Sequence, residues 1–273
     1  MRAAYLGPAG TYSHEALRDD PRAGGWEPVP IPTIHDAVLA VESGAVDRAI
    51  VPIENSTEGA VGATLDALAI DTAGVAIVGE VIHPIHHALI GAADVDLAAV
   101  RTVLSHPQVN AQCARFLRAE FPSATVIATT SSAEAVRLVA GGDVPEAPAV
   151  ALGTRAAADV HGGAVLRENV EDETTNVTRF VWLAPAGTAP LGPADKSSVV
   201  WWGAGDQAAG WLVRCLSEFS ARGVNMTKIV SRPRRLGLGH YMFFGAVDGA
   251  NDGSVAEAFA ALGAHAEVVK VLG

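Results

Sequence analysis

Four times along this chain a short apolar run ends in a cluster of hydroxyl and amide side chains, and an amphipathic segment then begins. Leu6 leads to Thr11-Tyr12-Ser13, Ile53 to Asn55-Ser56-Thr57, Leu104 to Ser105-His106-Pro107-Gln108, and Ala128 to Thr129-Thr130-Ser131-Ser132. The apolar runs Ala3–Leu6, Arg48–Ile53, Ala98–Leu104, Ala124–Ala128 and Ala147–Leu152 have strand length. The segments between them carry helical spacing: Thr11–Arg18, then Val61, Leu65 and Leu68, then Val109, Cys113, Phe116 and Leu117, then Val136 and Val139. Such alternation predicts an α/β fold with mostly parallel sheets and crossover helices.

The junctions constrain function as well as fold. Ser, Thr and Asn at a helix start accept from free backbone N–H groups, and Ser131 and Glu134 have capping-box spacing. The remaining N–H donors and the positive dipole end point outward at the carboxyl ends of the strands, where open α/β sheets bind ligands. One such junction is an ordinary cap. Four together point to a site for a small anion such as a carboxylate. Neither Gly-x-x-x-x-Gly-Lys nor Gly-x-Gly-x-x-Gly occurs, which argues against a nucleotide.

At 273 residues there is room for two or three compact lobes. Lys plus Arg number 19 against 30 Asp plus Glu, and a formal charge of -11 is the wrong sign for nucleic acid or an anionic membrane. The N-terminal residues read directly into a strand without a signal peptide, and no apolar run is long enough to span a bilayer, so the expectation is a soluble, cytoplasmic protein. Cys113 and Cys215 fall at apolar helical positions and read as buried thiols. His83, His86 and His87 lie within five residues in an apolar context and read as alternating strand positions, with no carboxylate or Cys at ligand spacing; no metal and no cofactor is expected. His106 reads as a helix-start residue.

Residues 184–193, rich in Pro, Gly and Ala, read as a linker. Beyond it the pattern is βαββαβ: a strand at 198–202, a helix over 208–222 ended by Gly223, strands at 224–231 and 241–247, a helix near 255–262 and a strand through 268–271. This is the ferredoxin-like order.

Asn176-Val177-Thr178-Arg179-Phe180 resembles the Asn-x-Thr-Arg-Phe signature of prephenate dehydratases. Gly7-Pro8-Ala9-Gly10-Thr11-Tyr12-Ser13, Val51-Pro52-Ile53-Glu54-Asn55-Ser56, Ser105-His106-Pro107-Gln108 and the stretch from Asn225 to Pro233 match the same family in the same order, and together they cover nearly the whole chain. The resemblance implies a two-lobed, periplasmic-binding-protein-like catalytic domain over 1–185, with one lobe of about 1–75 plus 176–185 and the other of about 76–175. It implies that an ACT domain, a ferredoxin-like amino-acid-sensing module, follows over 196–273. The implied reaction is decarboxylating dehydration of prephenate to phenylpyruvate in phenylalanine synthesis, by a homodimer or homotetramer that needs no cofactor and takes phenylalanine as an allosteric effector.

On that resemblance Thr178 donates a hydrogen bond to the departing hydroxyl, with Asn55 and Ser56 beside it. Arg179, Thr11, Ser13, Gln108, Thr130, Ser131 and Phe180 line the substrate pocket. For Arg179 two readings stand equal: a forked grip on a carboxylate, or a salt bridge to Glu171-Asp172-Glu173. Glu54, beside an anionic ligand, has no assigned role. Gly210, Leu212, Asn225, Met226, Ser231 and Arg232 are the expected effector-binding positions. There the chain departs from the family: Gly210-Trp211-Leu212 stands for Gly-Ala-Leu, and Val230-Ser231-Arg232-Pro233 for Glu-Ser-Arg-Pro. Altered phenylalanine control is one reading; the other is that Trp211 packs against Trp201 or Trp202 with the pocket intact. A prephenate decarboxylase and a non-catalytic sensor of amino acids or small anions are the alternatives. The retained Thr178 argues against the first, and the lack of room for an output module against the second.

Overall fold

The computed structural model describes residues 1–203 and 205–273. Three sheets organise the chain. The first takes β1 (Arg2–Leu6), β2 (Glu27–Ile31), β3 (Arg48–Asn55), the two-residue β4 (Gly59–Ala60) and β5 (Val75–Pro84). Its helices are α1 (Tyr12–Asp19), α2 (Ile34–Glu42) and α3 (Gly62–Asp66). The chain then crosses to the second sheet through β6 (Ala88–Gly91), β7 (Thr102–Ser105), the paired helices α4 (Pro107–Gln112) and α5 (Ala114–Glu120), β8 (Thr125–Ala128), α6 (Ser132–Gly141), β9 (Ala149–Gly153), α7 (Arg155–His161) and β10 (Ala164–Arg167). It returns through β11 (Val177–Pro185), which inserts antiparallel between β3 and β5, giving the order β2-β1-β3-β11-β5. The second sheet has the order β10-β6-β9-β7-β8.

The two lobes therefore meet where the chain crosses twice, near Ile85 and near Asn176, whose carbonyl accepts from the Ile85 amide. β5 belongs to the first sheet, so that lobe runs to Pro84 rather than ending near 75. Val75–Pro84 forms the edge of that sheet, and its assignment to the first lobe depends on pairing with β11, which lies about a hundred residues further along the chain. The caps form as their sequence dictates. Ser131 Oγ accepts from Glu134 N at 3.0 Å, and α6 closes at Gly142 with φ 76°, the left-handed conformation a helix end favours.

The last unit comprises β12 (Lys196–Trp202), α8 (Trp211–Ser220), β13 (Met226–Pro233), β14 (Tyr241–Asp248), α9 (Gly253–Leu262) and β15 (Val268–Val271), an antiparallel sheet in the order β13-β14-β12-β15. One face packs on its own helices, Val199, Trp201 and Val247 meeting Trp211, Cys215, Phe219 and Phe259. The other face joins the first lobe: Val200, Met242, Phe244 and Leu272 share one cluster with Val38, Val51, Leu65 and Leu183. Fully burying such a side chain contributes about 1.5–3 kcal/mol. Ion pairs fix the docking further. Asp66 of α3, almost wholly buried, takes Arg232 through Nε at 3.0 Å and Nη2 at 2.7 Å, and Arg235 at 3.0 Å. Lys270 Nζ donates to Leu68 O, and Ile77 N to Leu272 O. The 184–193 segment is packed as well, with Leu191 N donating to Val78 O at 2.6 Å.

Candidate active site

A cavity of about 730 Å³ lies between the lobes. Its polar lining comes from the junctions: Thr11, Tyr12 and Ser13 before and in α1, Asn55 at the end of β3, His106 capping α4 with Gln108 and Gln112 on it, and Thr130, Ser131 and Ser132 at the start of α6. Asn176 and Thr178 enter from β11, and Leu6, Ile31, Pro52, Val61, Val109 and Phe180 supply the apolar wall. No Lys, Arg, Asp or Glu lines it among the described residues. An anion here meets hydroxyls, amides and the unpaired first-turn N–H groups of α1 and α6.

At the centre Thr178 and Asn55 are register partners on β11 and β3, both buried. The direction of every hydrogen bond around them follows from two backbone groups. Asn55 Oδ1 accepts from the N–H of Thr57 at 2.9 Å and of Glu58 at 3.0 Å, so its NH₂ must face the other way. That NH₂ donates to Thr178 Oγ1 at 2.9 Å and to Asn176 Oδ1 at 2.8 Å. With Asn176 Oδ1 an acceptor, its Nδ2 donates to Gln112 Oε1 at 3.3 Å. Gln112 Oε1 must then accept from His87 Nε2 as well, at 2.8 Å. Burial lowers the His87 pKa, so the ring is neutral at pH 7, and its Nδ1 meets the Tyr12 hydroxyl in a short contact beside that hydroxyl's 3.0 Å bond to the His86 carbonyl. Burial raises the Tyr12 phenol, which keeps its proton. Thr178 thus accepts from Asn55, and its own O–H is left to donate into the cavity.

The site differs from expectation at several positions. Ser56 does not line the cavity; its hydroxyl accepts from Val177 N at 3.0 Å on the outer side of the turn. Arg179 does not line it either, and neither reading of Arg179 holds. Successive strand residues face opposite ways, so with Thr178 inward Arg179 points at the last unit, pairing with Glu54 at 2.8 Å and Glu80 at 3.4 Å. The acidic run instead engages Arg115, through Asp172 and Glu173, and His86, through Glu171. Glu54, unassigned from sequence, pairs with Arg179 and with Lys228 at 3.1 Å. Thr11 sits at the rim with its hydroxyl donating to Leu6 O. Ser13, Gln108, Thr130, Ser131 and Phe180 all reach the cavity.

Gln112, Asn176, His87 and Tyr12 were missed. Gln112 lies four residues after Gln108 on the same helix, a spacing that brings both to one face. The three histidines take separate partners, His83 with Glu15, His86 with Glu171 and His87 with Tyr12 and Gln112. Both cysteines are free and buried.

The six expected effector positions do not converge within this single chain. Gly210 caps α8 in the left-handed conformation, Leu212 packs inside the unit, and Asn225 bonds Asp248 at 2.7 Å. Met226 lines a groove with Leu216, Phe219 and Lys228, and Ser231 is exposed. Arg232 is held by Asp66. Trp211 is buried beside Phe243, in the cluster that contains Trp201, its Nε1 donating to His265 O. Val230, where the family pattern has Glu, packs toward the first lobe.

A two-lobed α/β protein whose uncharged cleft centres on a buried, amide-oriented hydroxyl is a small-anion site equipped to assist a leaving group. Comparison with known proteins gives it a family. The family model described as prephenate dehydratase matches residues 3–188. The prephenate dehydratase of Mycobacterium marinum is 37% identical over 282 residues, spanning 100% of this chain and 87% of that protein. The crystal structure of the prephenate dehydratase of Arthrobacter aurescens in complex with L-Phe superposes with a TM-score of 0.90 at 33% identity, covering 100% of this chain and 89% of the other. A structure described as a novel type of quorum-quenching acylase, GqqA, matches with a TM-score of 0.84 at 28% identity over 100% and 97% of the two chains. The chain belongs to the prephenate dehydratase family.

Proposed function

We propose that this protein is a prephenate dehydratase, converting prephenate to phenylpyruvate in the synthesis of phenylalanine. The observation that carries the reading is the Thr178 hydroxyl, oriented by Asn55 to donate into an uncharged cleft. The substrate dianion loses carbon dioxide and hydroxide to give the phenylpyruvate anion. The electron pair of the breaking carbon–carboxylate bond enters the ring as the hydroxyl departs, and Thr178 stabilises the departing oxygen. A placed donor of this kind contributes about 10²- to 10⁴-fold in rate. Asn55 and Asn176 orient the donor. The first turns of α1 and α6, with Ser13, Thr130, Ser131 and Gln108, hold the carboxylates, and Phe180 walls the ring.

The same reading assigns 1–185 to catalysis and 196–273 to an ACT regulatory domain, in a cytoplasmic homodimer or homotetramer. Its response to phenylalanine is weakened because Val230 replaces a carboxylate; Trp211, packed with Trp201 in the unit's own core, does not contribute to that change. The test is to supply purified protein with prephenate at neutral pH, with and without phenylalanine, and follow phenylpyruvate. Turnover by the wild type, lost in Thr178→Ala, supports the assignment. A non-aromatic keto acid, or binding without turnover, refutes it, and strong inhibition by tightly bound phenylalanine refutes the regulatory part.

A further inference from the structure

The strand pair that carries Thr178 and Asn55 has a second face. One residue away on each strand, Arg179 and Glu54 are register partners on the side away from the cavity. Around them lies a charged cluster that five strands and two parts of the chain build together. Arg179 on β11 binds Glu54 on β3 at 2.8 Å and Glu80 on β5 at 3.4 Å. From the last unit, Lys196 on β12 takes Glu80 through both carboxylate oxygens at 2.8 and 2.9 Å, and Lys228 on β13 takes Glu54 at 3.1 Å. The Arg179 side chain is 13% exposed and that of Lys228 17%. At this burial an ion pair resists screening by salt, and its loss moves the groups that remain.

We infer that Arg179 and Glu54 are positioning residues for the Thr178–Asn55 pair, held in place from the last unit by Lys228 and Lys196. The inference rests on the proposed reaction. Its geometric basis is that each positioning residue shares a peptide bond with the residue it positions, Arg179 with Thr178 and Glu54 with Asn55. A change in the tilt of either strand that relaxes the outer pair therefore rotates the inner one. The ladder to β3 becomes irregular directly beyond the outer pair, because the register shifts between Arg179 and Phe180. Lys228 lies within Asn225–Pro233, the stretch resembling the family's effector-binding segment, so a displacement of β13 reaches the cleft through one side chain.

Charge decides which substitutions disturb position without unfolding the protein. The cluster holds three cations, Arg179, Lys196 and Lys228, against two anions, Glu54 and Glu80. Burial lowers the Lys228 pKa against the opposing pull of Glu54, so this lysine is held at a cost. Lys228→Met balances the charges and retains the packing of the stem, so it leaves thermal stability nearly unchanged. Glu54→Gln leaves three cations to one anion and destabilises.

The experiment measures prephenate turnover and backbone hydrogen exchange in wild type, Lys228→Met, Glu54→Gln and the double variant. The expected result for Lys228→Met is a drop in kcat of about five- to tenfold with KM within about twofold, and faster exchange in residues 177–180 at an unchanged melting temperature. The double variant is expected to lose no more kcat than Glu54→Gln alone, because Lys228 reaches the inner pair through Glu54. Unchanged kcat and exchange in Lys228→Met, a loss confined to KM, or losses that multiply in the double variant would each overturn the inference. A wild type inactive on prephenate refutes the proposed reaction instead, and hydrogen exchange then decides the positioning role by itself.

Discussion

Replacing Asn55 by Asp changes one NH₂ into an oxygen and reverses the polarity on which the site depends. In the native protein Asn55 Nδ2 donates to Thr178 Oγ1 at 2.9 Å, which leaves the threonine proton for the cleft. In Asn55→Asp the carboxylate oxygen at that place can only accept, so the Thr178 hydroxyl turns to donate to it. A hydrogen bond to a charged group contributes about 1.5–3 kcal/mol, and that bond must break before Thr178 can assist a leaving group. At 1.36 kcal/mol per tenfold, kcat falls about 10- to 150-fold from this effect alone. The same oxygen also faces Asn176 Oδ1, a 2.8 Å contact that turns repulsive and loosens the chain to Gln112 and His87. Lowering the pH protonates the new carboxyl, which again donates to Thr178. The variant's kcat should therefore rise as pH falls through that carboxyl's pKa, while the wild type shows no rise there. The assay is steady-state phenylpyruvate formation from pH 4.5 to 8. A variant with near-native kcat at pH 7, or one whose pH profile parallels the wild type, would refute the reasoning.

Two further expectations concern stability and closure. Burial pushes the Asp66 carboxyl up, but the hydrogen bonds and charges of Arg232 and Arg235 outweigh it and hold the pKa below the usual carboxylate range. Asp66→Ala should cost about 2–3 kcal/mol, below the full cost of a buried pair because the Arg232 side chain is 30% exposed, and calorimetry should show the melting temperature lower by about 5–10 °C. A depressed folded pKa means this stability is present above the unfolded pKa near 4 and lost as pH falls through the folded one, so the gap between wild type and variant should narrow below about pH 4. Gly10 has φ 86°, and a Cβ there would stand 2.7 Å from Ala157 Cα in the opposite lobe. Gly10→Ala should add about 1–2 kcal/mol of backbone strain and push the lobes apart, raising KM several-fold; an unchanged KM would count against lobe contact at this loop.

The residues whose place at the cavity was legible in the sequence are those where chemistry is local. Hydroxyl and amide residues at strand-to-helix junctions have one physical use, and Ser13, Gln108, Thr130, Ser131, Thr178 and Asn55 all reach the cavity. The last unit's order of strands and helices was legible because its apolar periods change cleanly between two and 3.6. Arg179 and Ser56 were misread as neighbours of site residues, although strand alternation already requires Thr178 and Arg179 to face opposite ways. The same rule removes the difficulty of Glu54, an anion that faces the lysines and not the substrate. Arg232, expected among the effector-binding positions, pairs with Asp66 instead, a partner 166 positions away whose pairing depends on how one unit docks on another. His87 was passed over for a related reason: its partners Tyr12 and Gln112 come from different lobes.

The family model stops at residue 188, yet the first lobe's apolar cluster is completed by Val200, Met242, Phe244 and Leu272. The segment inherited as a recognisable module and the segment able to exclude water from its own core therefore have different ends. A fragment cut within the 184–193 stretch would expose the apolar surface around Val38, Val51 and Leu65 and leave Asp66 without its two arginines. An exchange of the last unit between relatives would need the surface of α2 and α3 to travel with it. In this protein the last unit also serves as one wall of the first lobe's core.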